Sequence, residues 1–224
     1  MKIARPVLSD RDASAVPLIL ASASAGRAAV LRDAGLDFQQ MPASVDERAI
    51  EANIGIDVGV NVGVNAGDVQ ANVRAEHVAV RLAEEKALAI SRQRPDAIVI
   101  GADQVMSCDG RLIHKPADLA AARGQLRDLS GREHFLIAGL AVAIGGAVVW
   151  RHVDAATLRM RDLSDAFLDA YIAAEGALLL GGVYRIEGRG IQLFASVDGH
   201  HSTIIGLPLL PLLGYLREIG WLRS

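Results

Sequence analysis

Asp103 directly follows the apolar run Ala97-Ile98-Val99-Ile100-Gly101-Ala102, which reads as a buried strand. An unpaired carboxylate there would cost several kcal/mol, so a cation or a metal ion should hold it. Lys115 comes after the Asp109-Gly110 pair, whose two-residue hairpin signal turns the chain back toward the end of Asp103's strand. Ser22, Ser24 and Arg27 lie where a short apolar run gives way to a helical pattern. Hydroxyls, free backbone N–H groups and a guanidinium could meet an anion there. A serine cap followed by an exposed arginine is the plainer reading of the same residues. Asp46-Glu47 stands in a polar connection and could supply further carboxylates or simply start a helix.

Other familiar chemistries lack their residues. There is no Gly-Lys-Ser/Thr phosphate loop, no G-x-G-x-x-G after a strand, no G-x-S-x-G elbow and no H-E-x-x-H. The 6 histidines, the His200-His201 pair included, read as surface or packing residues.

The elements that must position these groups follow from pattern and punctuation. Residues 1–16 read as a loose leader and 17–224 as a mixed α and β chain, one compact domain or two small lobes. Pro17 to Ala21 is a buried strand leading into a helix that Gly35 stops, and Phe38 to Val45 could return as a strand. The stretch 54–72, with its recurring Gly, Val and Asn, reads as an expanded surface loop. From Arg74 to about Arg92 the pattern is helical, with Val78, Leu82 and Ala89 on the apolar stripe and Glu84, Glu85 and Lys86 toward the other side. Asp118 caps a helix to about Leu129, Phe135 to Ala143 and Val148 to Met160 are long strands around Gly145-Gly146, and Ser164 caps a helix to about Ala174. Tyr184 to Ile186 and Ile191 to Val197 read as strands, and Leu207 to Ile219 as a closing helix with Pro208 in its first turn.

Composition excludes several classes. At 224 residues and 51% hydrophobic, the chain can bury a core without a metal or disulfide staple, and its one cysteine, Cys108, rules out an internal disulfide. A net charge of −3 argues against a nucleic-acid partner. The longest apolar stretch, Phe135 to Trp150, is too short to span a membrane and is broken by three glycines. Lys2 and Arg5 ahead of an apolar run faintly mimic an export signal, but Asp10, Arg11 and Asp12 interrupt it, so a cytoplasmic location is expected. Among 23 basic residues lysine stands only at Lys2, Lys86 and Lys115.

Taken in order, Leu18-Ile19-Leu20-Ala21-Ser22-Ala23-Ser24 with Arg27, Val45-Asp46-Glu47, Glu85-Lys86-Ala87, Gly101-Ala102-Asp103-Gln104-Val105, Asp109-Gly110 with Lys115-Pro116, Leu129-Ser130-Gly131-Arg132, Glu187-Gly188-Arg189-Gly190 and Ile205-Gly206-Leu207-Pro208-Leu209 resemble the motifs of the Maf-like nucleoside triphosphate pyrophosphatases. The resemblance covers about residues 17 to 220. It implies an elongated two-lobed α/β fold around a mixed central sheet, related to the inosine triphosphate pyrophosphatases. It also implies a homodimer and a divalent ion (Mg²⁺, Mn²⁺ or Co²⁺), with hydrolysis of a nucleoside triphosphate to the monophosphate and pyrophosphate. It marks Asp103 as proton acceptor, Glu47 and Asp103 as metal ligands, and Ser22, Ser24, Arg27, Lys86 and Lys115 as phosphate-binding. A second role linked to the family is that of a nucleotide-binding regulator of cell division with little turnover.

Departures from the pattern bear on the substrate. The first motif usually continues with a proline and a bulky residue before its arginine; this chain has Ala25-Gly26-Arg27. Gln104 and Glu187 stand where the branch acting on dTTP and UTP tends to have Thr and Gln, a combination similar to the branch preferring 7-methyl-GTP. A carboxylate at Glu187 suits guanine, whose N1–H and N2–H₂ edge offers two donors. Gly26, Gln104 and Glu187 are therefore the expected specificity positions.

Overall fold

In the computed structural model, residues 15–57 and 67–223 are described. Seven strands form one mixed sheet, in the order β2 (Gln39–Gln40), β1 (Leu18–Leu20), β3 (Ile98–Cys108), β5 (Glu133–Ile144), β6 (Ala147–Met160), β7 (Phe194–Asp198), with β4 (Arg111–Ile113) also paired to β3. β1 runs parallel to both β2 and β3, and the remaining pairs are antiparallel. This is the mixed α/β architecture read from the sequence.

The strand pairing leaves an opening. On one side β5 accompanies β3 from Val99 to Ser107; on the other, β1 ends its pairing at Ile100 and β4 begins at Met106. Residues 101–105 of β3 therefore have no strand partner on that edge, and Asp103 is in the middle of the gap. A crevice at the end of a short parallel strand is where open α/β sheets take ligands.

Two faces are covered differently. Alternate strand residues, Leu18, Leu20, Ile98, Ile100, Leu140 and Val142, pack beneath α1 (Ala25–Asp33) and α7 (Leu209–Glu218). The opposite set, Ile19, Val99, Ala141 and Ala143, meets Ala83 and Ala87 of α3 (Gly67–Ser91). That helix docks almost backbone to backbone: a Cβ added to Gly101 would lie 2.8 Å from Ala87 N and closer still to Ala83 O, and one added to Gly139 would lie 2.6 Å from Val80 N. A third cluster, Leu126, Leu129, Met160, Leu168 and Leu193, packs α4 (Leu119–Leu129) and α5 (Asp165–Glu175) together.

Several expectations are corrected. Residues 54–57 belong to α2 (Glu47–Asp57) and 67–72 to α3, so the surface loop expected over 54–72 is helical at both ends; its middle, 58–66, lies outside the described residues. Most of the expected leader lies outside them too, although the Val16 carbonyl accepts from Trp221 Nε1 at 2.8 Å. The strand expected at Tyr184 to Ile186 is irregular chain, and 3₁₀ turn at Arg189–Leu193 replaces the start of the next. Of Phe38 to Val45 only Gln39–Gln40 pairs. Glu84 and Lys86 are buried, not on a solvent face, because α3 is gripped by the sheet and by Arg151 of β6, whose Nε reaches Glu84 Oε1 at 2.9 Å.

Candidate active site

The gap beside β3 opens into a cleft of about 650 Å³. All ten expected site residues, Ser22, Ser24, Gly26, Arg27, Glu47, Lys86, Asp103, Gln104, Lys115 and Glu187, border it. They come from the start of α1, the start of α2, the face of α3, the unpaired stretch of β3, the segment after β4, and the chain before η-type turn 189–193.

Charge gathers at one end. Lys86 Nζ lies 2.6 Å from Glu47 Oε1 and in a short ion pair with Asp103 Oδ1. Lys86 and Asp103 are almost wholly buried, whereas about half of the Glu47 side chain, 52%, meets solvent. Burial pushes the Asp103 carboxyl above the ordinary aspartate range, and the charges of Lys86 and Arg27 only partly oppose it. Burial also disfavours the Glu47 carboxylate, but the hydrogen bond and charge of Lys86, aided by Lys115 and Arg27, hold Glu47 below its usual range. Lys115 itself is exposed at the rim.

Arg27 completes this end in a way the strand gap requires. Its Nη1 donates to the Ala102 carbonyl at 2.8 Å, an acceptor that no neighbouring strand uses on that edge, and to Ser22 Oγ at 3.2 Å. Its Nε is buried without a partner among the described residues. Burial lowers its pKa, against the opposing charges of Asp103 and Glu47. Ser24 caps α1, its Oγ accepting from Arg27 N at 3.3 Å, so the serine cap is real while the arginine turns inward and not to solvent. The capped N-terminus of α1 thus faces the cleft beside a guanidinium with an unmet donor, an arrangement suited to phosphate oxygens.

The rest of the lining is largely apolar. Met106, Leu136, Tyr184, Ile186, Ile204 and Ile205 contribute to it, and Arg185 and Glu187 add charge. Gln104 spends its amide donors on structure: Nε2 donates to the Thr203 carbonyl at 2.9 Å and the Ile204 carbonyl at 3.0 Å. It ties β3 to the end of α6 (His201–Ile204), a short helix that the sequence reading missed.

His134 is a further residue missed as a site element. It is fully buried on β5 and its Nε2 lies 2.7 Å from Tyr184 Oη, while Phe194 packs against both rings. The pair anchors the segment carrying Glu187 to the sheet. Burial lowers the His134 pKa to about 4, so it is neutral at pH 7. A histidine immediately before the apolar run that starts Phe135-Leu136-Ile137 is the available signal, consistent with a packing histidine.

The donor set fits a divalent ion. Glu47 and Asp103 present hard oxygens to one point, and among the described residues no third His, Cys, Asp or Glu completes a protein-only cage. An ion there would draw its other ligands from phosphate and water, as Mg²⁺ sites commonly do.

The family model for Maf-like protein matches residues 17–219. A nucleoside triphosphate pyrophosphatase from Nitrobacter winogradskyi is 47% identical over 210 residues, covering 93% of this chain and 96% of that one. A 7-methyl-GTP pyrophosphatase from Mesorhizobium japonicum is 46% identical and one from Brucella abortus 43%, each over 91% of this chain and 96% of the relative. A solved lipoprotein, GNA1162 from Neisseria meningitidis, covers 75% of this chain and 96% of its own at 16% identity, but its TM-score of 0.23 is too low to bear on the fold. The family match over nearly the whole described chain, together with relatives this similar along their full length, establishes that the chain belongs to the Maf-like protein family.

Proposed function

We propose that this protein is a nucleoside triphosphate pyrophosphatase that hydrolyses the anhydride between the α and β phosphates, giving a nucleoside monophosphate and pyrophosphate. The observation that carries the reading is the mixed lining of one cleft: Arg27, Lys86, Lys115 and two carboxylates, together with an apolar set that includes Met106, Leu136, Ile186 and Ile204. A triphosphate matches the first and a base the second.

Asp103 serves as the base. Its carboxyl, made more basic by burial, takes one proton from the water whose oxygen attacks the α phosphorus as the bond to the bridging oxygen breaks. Arg27, Lys86 and Lys115 hold the phosphates, and Ser22 and Ser24 add hydroxyl or backbone donors, so positioning and charge neutralisation supply most of the acceleration. A divalent ion held by Glu47 and Asp103 would supply further positive charge against the phosphates.

Glu187 is the proposed reader of the base, accepting from the two donors of a guanine-type edge, and its carboxylate also suits a base made cationic by 7-methylation. The names of the Mesorhizobium japonicum and Brucella abortus relatives support 7-methyl-GTP as the preferred substrate. On the same resemblance the protein acts as a cytoplasmic homodimer that clears non-standard nucleotides. Among the described residues no helix is long and apolar enough to cross a membrane.

The test is a nucleotide panel (7-methyl-GTP, GTP, dTTP, UTP and ITP) with Mg²⁺, Mn²⁺ and Co²⁺ in turn, reading pyrophosphate release. Release is expected, greatest with 7-methyl-GTP. No release from any nucleotide with any ion would overturn the reading.

A further inference from the structure

Lys86 stands where a metal ion would have to go. Its ammonium touches Glu47 Oε1 at 2.6 Å and Asp103 Oδ1 more closely still, so the oxygens offered to a divalent ion are already joined through a buried cation. The surrounding charges reinforce this. Glu47 and Asp103 bring two negative charges, while Lys86, Arg27 and Lys115, all acting on these carboxylates, bring three positive ones. A lone divalent cation approaching the free site therefore meets a net positive cluster and must evict an ammonium from two carboxylates. A complex of the ion with a triphosphate differs on both counts. It carries about two net negative charges, and its phosphate oxygens offer Lys86 new acceptors as the carboxylates pass to the metal.

We propose that Lys86 occupies the divalent-ion position in the free protein, so that the ion enters only as its complex with the nucleotide and Lys86 then moves from the carboxylates to the phosphates. Lys86 is thus an exchangeable placeholder as well as a phosphate ligand. The arrangement keeps the buried Asp103 carboxylate and the half-exposed Glu47 carboxylate from facing each other uncompensated, and it keeps the site from being filled by ions without substrate. The inference rests on the assignment above of Glu47 and Asp103 as the ion's ligands.

The experiment is a titration of the metal-stripped full-length protein with MnCl₂, reading free Mn²⁺ by electron paramagnetic resonance and heat by calorimetry. It is run with and without guanosine 5′-(α,β-methylene)triphosphate, whose α–β bridge cannot be hydrolysed. The analogue alone is expected to tighten Mn²⁺ binding by about tenfold or more, roughly the factor for one recovered charge-assisted contact. Lys86→Met, checked for folding by circular dichroism, is expected to bind Mn²⁺ without nucleotide about tenfold more tightly than the parent, even as its hydrolysis falls. Equal Mn²⁺ affinity of the parent with and without the analogue would overturn the proposal, as would a folded Lys86→Met that binds Mn²⁺ no more tightly. If Lys86→Met does not fold, Lys86→Gln, which removes the charge but keeps a polar side chain beside the two carboxylates, is titrated in its place with the same expectation and the same overturning result. Failure of the nucleotide panel would refute the proposed activity but leave these Mn²⁺ affinities as an independent result.

Discussion

Gly26 and Glu187 meet across the mouth of the cleft: a Cβ at position 26 would stand 3.4 Å from Glu187 Oε1 and 3.1 Å from Ile205 Cγ2. The bulky residue usual at this point in the first motif would therefore compete with the carboxylate for the same space. Gly26→Leu should push Glu187 aside and change the ranking of bases by more than it changes turnover of the best remaining substrate. Specificity constants across the nucleotide panel test this; an unchanged ranking refutes the coupling.

Glu187→Gln removes an acceptor and a negative charge beside Gly26 while leaving Arg27, Lys86 and Lys115 in place. Loss of one hydrogen bond to a charged group is worth about 1.5–3 kcal/mol, so discrimination in favour of guanine-type bases should fall roughly ten- to a hundredfold. The ratio of kcat/KM for 7-methyl-GTP to that for UTP reads it directly.

Asp103→Asn should lower kcat by about 10²- to 10⁴-fold, the usual worth of a positioned general base, with nucleotide binding kept within about tenfold. Equilibrium binding of the methylene analogue, measured beside turnover, separates the base from a residue that merely holds the site together. Because burial raises the Asp103 pKa in the free protein, the acidic limb of the parent's kcat/KM against pH should lie above the ordinary aspartate range, with kcat/KM falling as pH drops through it.

His134 makes stability depend on pH with a defined sign. Its pKa is about 4 in the folded protein against 6.5 for a free histidine, so the unfolded chain takes the proton first as pH falls. Its contribution is fully present above pH 6.5 and is lost progressively down to about 4, amounting to about 3 kcal/mol. Urea unfolding at intervals between pH 7 and 4 should show that part of the slope missing in His134→Gln.

Gly101→Ala should destabilise the fold by about 1–3 kcal/mol or more, since the added methyl would press on the backbone of α3 where nothing flexible can yield. Thermal unfolding measures this, and a melting temperature equal to the parent's would contradict the close approach.

Much of the site was legible because its residues stand at the ends of elements that punctuate clearly. The run into Asp103, the Asp109-Gly110 turn and the Ser24 cap are each local signals, and each lies where it was read. What could not be read locally was the gap in β3, which exists only because β1 and β4 stop short on the same edge. Lys86 was misread for a related reason. Helical periodicity puts Glu84 and Lys86 opposite the apolar stripe, but the alanines and facing glycines let the sheet enclose more of α3 than one stripe, and salt bridges from Arg81 and Arg151 to Glu84 and from Glu47 and Asp103 to Lys86 satisfy the charges inside. Gln104 was expected to meet substrate, yet its amide donors are engaged by carbonyls 99 and 100 residues further along. No sequence pattern records such a pairing.

The seating of α3 on Gly101 and Gly139 reaches beyond stability. Gly101 and Asp103 are two residues apart on one face of β3, and Ala83 and Ala87, which close over that glycine, bracket Lys86 on the helix. The separation of ammonium and carboxylate is thus calibrated by a missing methyl group next door. Two rigid backbones in direct contact fix it, where flexible side chains would let it wander. Any residue larger than glycine at 101 would lift the helix and open the Lys86–Asp103 pair without altering a single charged group. Damage to the chemistry can therefore originate at a position that carries no chemistry of its own.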